Sequence, residues 1–214
     1  MKTLKKQIPY ILLGATLLLL LGLNIISQDH WLDSDMAAEM IFSRILSEEH
    51  HIFSTTNWYY STEFRVLYTQ LIMGPLFRIC SNWHVIRTIT NLVFYGLMLA
   101  SYYYFMKPLK VSRGLTVLRS CLLLLPFSET MMTHMQMGNT YMSHVILVLW
   151  FFGMYLRLCS GEYSAKRKVS LWIFYVLLAI VCGMSGVRYL LALQCPLVLT
   201  SFFYLLGGEE FQSF

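Results

Sequence analysis

The feature that most constrains this chain is a series of long apolar runs separated by polar or basic segments. A transmembrane helix needs about 20 predominantly apolar residues, and runs of this kind recur from the N-terminus onward. The run at 115–127 is short and carries Pro126 near its end. The sequence predicts about six transmembrane helices, over residues 8–27, 83–105, 115–127, 141–156, 170–184 and 190–206.

The composition agrees with a lipid environment. Charged residues make up only 13% of the chain and hydrophobic residues 57%, whereas a typical soluble domain carries roughly 25% charged residues. Too few charged side chains are present to cover the surface of a water-soluble fold of this size. We therefore expect an all-α, polytopic membrane protein in which residues 1–214 form a single transmembrane domain.

The cysteines and the basic residues argue against several classes of protein. The five cysteines form no CxxC pair and no zinc-type spacing, which favours buried structural thiols over a disulfide framework. The net charge is +5, but the basic residues are dispersed between apolar runs. Nucleic acid is therefore not expected as a partner, and the charge is interpreted as topology information. No P-loop, GxGxxG or GxSxG motif is present.

The lysines predict the orientation of the chain. Lys2, Lys5 and Lys6 precede the first apolar run, which is long for a signal peptide and lacks an A-x-A cleavage site, so we interpret it as a retained anchor. With the N-terminus in the cytoplasm, the loops at 107–113 and 166–168 also lie there, and all seven lysines are cytoplasmic. The sequence thus predicts a multi-pass protein of the cell membrane with a cytoplasmic N-terminus.

The segment at 28–82 is the first outer loop in this topology, and it is too long for a simple turn. Ser34 can cap a helix that carries Asp35 in its first turn, and apolar residues follow at helical spacing. We predict an amphipathic helix at 34–46 that lies on the membrane surface. A second surface helix is predicted at 61–72, because its first residues are close to a capping arrangement.

Asp33 and Asp35 lie just beyond the outer end of the first predicted span. A carboxylate at that position could accept a proton from an acceptor hydroxyl or bind a divalent cation. The alternative is that both residues only complement the dipole of the helix that follows. On these two residues alone, the dipole alternative is the stronger one.

The order of a first span, the acidic stretch Asp33-Ser34-Asp35, a large outer loop with two surface helices and further spans resembles the GT-C class of membrane glycosyltransferases. The resemblance covers mainly residues 1–105. Family members usually have more spans and often a further outer domain, so the chain is expected to be an incomplete, N-terminal portion. Membrane segments of bacterial members are also similar to the stretch Gly183-Met184-Ser185-Gly186-Val187-Arg188-Tyr189.

The resemblance implies transfer of a sugar from a polyprenyl-phosphate carrier to an extracytoplasmic acceptor. Asp33 and Asp35 would be the catalytic residues, with one carboxylate acting as the base. An arginine or a metal ion would offset the charge on the leaving phosphate. Membrane lipid and a lipid-linked sugar donor would be the partners, and a divalent cation such as Mg²⁺ or Mn²⁺ stays open as a cofactor. The candidate substrate-binding residues are Glu39, Glu63, Arg65, His134 and Arg188.

Two other functions stay open at this point. A non-catalytic membrane protein, such as a transporter or an assembly subunit, would place polar groups near the bilayer midplane. A copper-handling protein is the other, because the run at 131–137 combines methionines with His134, and thioether and imidazole groups suit Cu(I). Methionine also fills irregular gaps in a connector, which is the simpler interpretation of that run.

Overall fold

The regular structure of this chain is helical. The computed structural model describes residues 2–60, 66–139, 141–159, 163–185 and 187–206, and no strand occurs within them. The all-α prediction is therefore confirmed. The helices are α1 (Lys2–Ile26), α2 (Ser34–Glu48), α3 (Gln70–Phe77), α4 (Trp83–Met106), α5 (Arg113–Leu124), α6 (Glu129–Met131), α7 (Met142–Cys159), α8 (Ala165–Met184), α9 (Val187–Tyr189) and α10 (Cys195–Leu206).

Four of the described helices are long and apolar enough to cross a membrane, judged by length and composition. A fifth span results only if the strongly bent pair that follows α4 is counted as one. The predicted run at 190–206 holds a shorter apolar helix, Leu191–Phe203. The described residues thus carry four or five candidate spans instead of six. The four are Lys6–Ile26, Trp83–Leu109, Met142–Cys159 and Ala165–Met184.

The third predicted span, at 115–127, is broken in the structure. Helix α5 ends at Leu124, and the next helical stretch, Glu129–Met137, is inclined to it by 96°. Leu125 is extended, with ψ of 132°, because the ring of Pro126 disfavours a helical residue before it. Ser128 then starts the next stretch by accepting a hydrogen bond from the Met131 amide at 3.1 Å. Local chain chemistry therefore ends α5 before residue 127 and starts a separate helical stretch beyond the predicted span.

The outer segment folds onto the end of the bundle. A 3₁₀ turn, Gln28–Trp31, follows α1, and α2 covers the range in which the sequence predicts the first surface helix. The second predicted helix differs from the structure: its first residues, 61–65, lie outside the described residues, 66–69 form bends and a turn, and the helix begins at Gln70. Within this turn the Val66 amide donates to the Ser185 hydroxyl, and the side-chain hydroxyls of Tyr68 and Thr69 donate to Glu39.

Helix α4 lies at the centre of the bundle and packs against α1, α5 and α7. Its Tyr95 and Met98 are almost fully buried and share one apolar cluster with Leu20 of α1 and Leu124 of α5. A second cluster, centred on Phe151 of α7, connects that helix to α8 and to the chain after α9. The first cluster therefore joins α1, α4, α5 and the start of α7, and the second joins α7 to α8 and to the chain that follows.

Close packing of α4 on α7 depends on Gly153. A Cβ atom placed there would lie 2.7 Å from Cδ1 of Tyr104 and 3.1 Å from the Cα atom of Phe105. Small residues allow helices to approach closely in membranes, where lipid gives no hydrophobic drive for association. Arg157, one turn further on, donates hydrogen bonds to the carbonyl oxygens of Gly153 at 2.6 Å and Tyr104 at 2.7 Å. Its guanidinium carbon also lies 3.7 Å from the centroid of the Tyr104 ring.

We expect Gly153→Ala to destabilise the protein by about 1–3 kcal/mol, because the added methyl group must push Tyr104 and the α4 backbone away. The matched control is Gly96→Ala in α4, where an added Cβ meets nothing within 4 Å. That control should be neutral or stabilising, since alanine is the better helix former. Thermal unfolding of both purified variants in one detergent measures the difference, and equal unfolding midpoints would contradict the packing argument.

Candidate functional site at the outer end of the bundle

Among the described residues of the outer segment, the most buried charged group is Glu39, in the middle of α2. Its side chain is 7% exposed. The Tyr68 hydroxyl donates to its Oε1 at 2.6 Å, and the Thr69 hydroxyl donates to its Oε2 at 3.3 Å. Nη1 of Arg87 lies 3.6 Å from the same Oε2, which makes an ion pair longer than a hydrogen bond. The carboxylate therefore holds together α2, the turn before α3, and α4.

Arg87 is the cationic partner, and the sequence interpretation missed it. It lies in the second turn of α4 and is 1% exposed. Nη1 also lies 4.0 Å from the sulfur of Met73, while Nε and Nη2 form no hydrogen bond within the described part of the chain. A buried charge is costly unless it is paired. Arg87 and Glu39 therefore depend on each other.

The two carboxylates predicted to be catalytic have different surroundings. Oδ1 of Asp33 accepts the Met36 amide at 2.8 Å, so Asp33 is the N-cap of α2. It is also near enough to Arg87 for electrostatic attraction. Asp35, in the first turn of the same helix, is exposed and makes no hydrogen bond or ion pair with any residue that the structure describes. The helix-end interpretation therefore fits Asp33. Asp35 is the carboxylate whose oxygens stay available to a substrate.

Glu63 and Arg65 lie outside the described residues, and they keep only their sequence-based assignment. The neighbouring turn is placed by tertiary contacts, since the Val66 amide donates to the Ser185 hydroxyl at 3.3 Å. Ser185 follows directly after α8. The outer segment therefore contacts the C-terminal helices as well as α4.

His134 and Arg188 come together on one aromatic ring. The imidazole of His134 lies 5.7 Å from the Tyr141 ring, centroid to centroid, and the guanidinium carbon of Arg188 lies 5.0 Å from the same centroid. Next to them, His144 stacks on Tyr189 at 4.4 Å with the planes 11° apart. No described hydrogen bond or ion pair joins this Tyr141 cluster to Asp33 or Asp35. A cation and two imidazoles thus gather where α7 begins.

Packing connects α2 to the stretch that carries His134. Met36, which is 1% exposed, contacts Met132 and Met137 in a small core cluster. Both belong to the π-helical stretch Met132–Met137, which also carries His134. The dense methionines of this stretch are thus packing residues between α2 and the bundle. Among the described residues, no three histidines, cysteines or carboxylates group as metal ligands would.

A chain of buried amides runs below the methionine cluster. Nδ2 of Asn24 in α1 donates to the Tyr95 hydroxyl at 2.8 Å, and Nδ2 of Asn91 donates to Oδ1 of Asn24 at 2.5 Å. Asn139 donates to the Asn91 carbonyl, and the Tyr95 hydroxyl donates to the Gln136 backbone carbonyl at 2.6 Å. The side chains are at most 1% exposed. These bonds tie the π-helical stretch to α1 and α4.

The sequence carried a signal for these groups. Arg87, Asn91 and Tyr95 recur at every fourth position of an apolar helix, so they share one face of α4. Polar and ionisable residues inside a predicted span are costly and usually face the bundle interior. The interpretation of 83–105 as a uniform apolar run overlooked that face.

The chain after α2 is ordered by Glu49. Nδ2 of Asn57 donates to its Oε1 at 2.6 Å, and hydrogen bonds from Asn57 and then from Thr55 hold the pKa of this carboxyl below its usual range. Nδ1 of His51 lies 3.5 Å from Oε2. Phe42 of α2 packs on the Trp58 ring, at 5.3 Å between centroids, so these residues fold back on α2.

An open cleft of about 560 Å³ lies beside the start of the bend after α5. It contains one imidazole, His30, and one carboxylate, Glu129, at its rim. The cleft separates the 3₁₀ turn after α1 from the stretch that begins at Ser128. Its walls are Leu23, His30, Trp31, Pro126, Phe127, Ser128, Glu129 and Met132.

No family model, curated protein or solved structure matches this chain.

We expect removal of one partner of the buried pair, in Glu39→Gln or Arg87→Met, to cost about 3–5 kcal/mol of stability, because the other group stays buried without compensation. The double variant should lose less than the sum of the two single losses. The control is Arg44→Gln with Glu48→Gln, an exposed pair on the same helix with 2.8 Å between Nε and Oε1.

That exposed pair should contribute no more than about 0.5 kcal/mol. Equilibrium unfolding of all variants in one detergent gives the coupling energies. Additive effects of Glu39→Gln and Arg87→Met would show that the two groups do not stabilise each other.

Proposed function

We propose that this chain is a GT-C-like membrane glycosyltransferase that transfers a sugar from a polyprenyl-phosphate carrier to an extracytoplasmic acceptor. It would lie in the cell membrane as a multi-pass protein with its N-terminus in the cytoplasm. The observation that carries the proposal is the buried Glu39–Arg87 pair, which fixes α2 across the outer end of α4. In the proposed topology the exposed carboxylate of Asp35 would lie at the membrane boundary, where the head group of a lipid-linked donor would emerge.

Asp35 is the proposed general base. It is exposed and stands one helical turn before Glu39, so its backbone is held while its oxygens can reach an acceptor hydroxyl. Asp33 is a positioning residue, because its carboxylate already caps α2. The acceptor proton would pass to a carboxylate oxygen of Asp35 as the hydroxyl oxygen forms its bond to the anomeric carbon. The bond from that carbon to the phosphate oxygen breaks at the same time.

The leaving phosphate needs positive charge on the other side of the sugar. The Tyr141 cluster supports this role, since Arg188 and His134 lie against one ring at the start of α7. Packing of Met36 on Met132 and Met137 brings the two halves of the proposed site towards each other. Arg65 and Glu63 keep their sequence-based roles as further substrate-binding residues. Glu39, which the sequence also suggested for substrate binding, is buried in the structure and serves as a structural contact.

A transporter or assembly subunit is the second candidate, and one observation favours it. The Asn24–Asn91–Asn139 amide chain is buried between apolar helices. Polar groups inside a membrane-spanning bundle often line a pathway for ions or substrates. All three amides also bond to one another or to the backbone, as a purely structural network does.

We expect Asp35→Asn to reduce sugar transfer by about 10²–10⁴-fold without changing stability, because it removes a general base. Asp33→Asn should keep most activity, since asparagine caps a helix as well as aspartate does, whereas Asp33→Ala should lose about 0.5–2 kcal/mol of stability. The matched control is Asp29→Asn, another exposed carboxylate beyond α1.

The measurement uses the full chain in proteoliposomes with polyprenyl-phosphate hexoses whose sugar is labelled, and follows consumption of the donor. Equal turnover of Asp35→Asn and wild type would remove Asp35 as the base. The transport function would be favoured by two results together. The wild type would consume no donor, and it would carry a flux of solute that Asn91→Leu abolishes.

A further inference from the structure

A pocket of about 500 Å³ opens at the inner end of the bundle, at the opposite end of α4 from Arg87. The 20 helical residues from Arg87 to Lys107 correspond to about 30 Å along the axis. This volume is within the range of pockets that hold small ligands, about 300–1,000 Å³. The pocket is lined by Tyr10, Tyr103, Met106, Lys107, Val111, Arg113, Thr116 and Val117.

The turn between α4 and α5 brings two cations to this pocket. Helix α4 continues into a 3₁₀ turn, Lys107–Leu109, and Lys110 then takes a left-handed conformation with φ of 53°. The chain reverses there, and α5 starts at Arg113. Lys107 and Arg113 consequently face one pocket from the two sides of the turn. Tyr10 of α1 supplies the third side.

No described residue neutralises the two cations. Lys107 and Arg113 are exposed and form no ion pair with any residue that the structure describes. The sequence contains no aspartate or glutamate from residue 2 to 26 or from 64 to 128, which includes α1, α4 and α5. The helices that build the pocket thus carry only positive charge.

The pocket also offers groups that suit a phosphate. Tyr103 and Ser120 share a hydrogen bond at 3.3 Å between their hydroxyl oxygens, so phenol and hydroxyl groups lie in the wall or directly behind it. The first turn of α5 contains no acidic residue, and the Ser112 side chain does not cap it. Backbone amides at a helix start attract anions when no side chain satisfies them. Here they add to the attraction that the two side-chain cations exert on an anion.

Beside this polar mouth, the pocket continues into apolar surface. Met106 and Val117 form its buried floor. Outside it, Ile11 of α1 is 59% exposed and Leu122 of α5 is 55% exposed, so both present aliphatic side chains where lipid tails would lie. A ligand that matches both parts is amphipathic, with an anionic head and hydrocarbon chains.

We propose that this pocket binds the phosphate head group of an anionic membrane phospholipid, held by Lys107 and Arg113, while the acyl chains lie along α1 and α5. Basic pockets between transmembrane helices at the cytoplasmic face bind anionic lipid head groups in this way. The proposal goes beyond glycosyl transfer and does not depend on it. It requires only that the chain lies in a membrane with the 107–113 turn at a surface.

The test uses the full chain purified in detergent, with thermal unfolding followed as phosphatidylglycerol or phosphatidylcholine is added. Phosphatidylglycerol should raise the unfolding midpoint of the wild type more than phosphatidylcholine does. Lys107→Gln with Arg113→Gln should bind phosphatidylglycerol roughly 30-fold more weakly, because each cation near a membrane surface contributes about 1 kcal/mol and about 1.4 kcal/mol corresponds to a factor of ten. The matched control, Lys166→Gln with Lys168→Gln, removes the same charge from the start of α8 and should respond as the wild type does.

Two further arms complete the test. Lys107→Arg with Arg113→Lys keeps both charges and should keep the phosphatidylglycerol response, which separates charge from folding. Native mass spectrometry should find phosphatidylglycerol retained by the wild type and lost from Lys107→Gln with Arg113→Gln. Equal losses in the α8 control would show general surface attraction, and an equal response to inorganic phosphate alone would show a free-phosphate site. Either result overturns the lipid proposal.

Discussion

The outer end of this protein depends on one buried ion pair. Glu39 and Arg87 are 7% and 1% exposed, and neither tolerates that burial alone. The carboxylate also accepts hydrogen bonds from the hydroxyl groups of Tyr68 and Thr69, so a single anion connects α2, the turn before α3, and α4. Apolar contacts could hold the same elements with less precision in register, because they are not directional. Asp35 belongs to the same helix as Glu39, so its backbone position depends on where Glu39 is held.

The second constraint is the requirement that polar groups inside an apolar bundle bond to one another. Asn24, Asn91, Asn139 and Tyr95 satisfy it as a connected series between α1, α4 and the π-helical stretch. Asn139 is in the left-handed region, with φ of 57°, which asparagine adopts more easily than most residues. The break at Pro126 and this network act together: the break redirects the chain, and the amides fix where the redirected stretch lies.

Charge is distributed unevenly between the two ends, and the two proposals use opposite signs. Carboxylates concentrate in the segment at 28–82, where Asp35 is exposed and is the proposed base. The opposite end of α4 carries Lys107 and leads to Arg113, on helices that contain no acidic residue. A sugar-transfer site with carboxylates outside and a lipid-phosphate site with cations inside are compatible, because about 30 Å of helix separates them. Screening by salt removes any direct interaction over that distance.

The sequence by itself determined the features that depend on local chain properties. Hydropathy located the spans, because lipid-compatible length and composition belong to a single helix, and Pro126 together with a short run already marked the weak third span. Capping chemistry located the start of α2 to within a residue. Tertiary structure decided which polar groups meet. It buried Glu39 against Arg87 and brought Arg188 onto the Tyr141 ring that His134 also contacts. Those outcomes depend on residues far apart in the chain, and helical periodicity gives the face of each residue but not its partner.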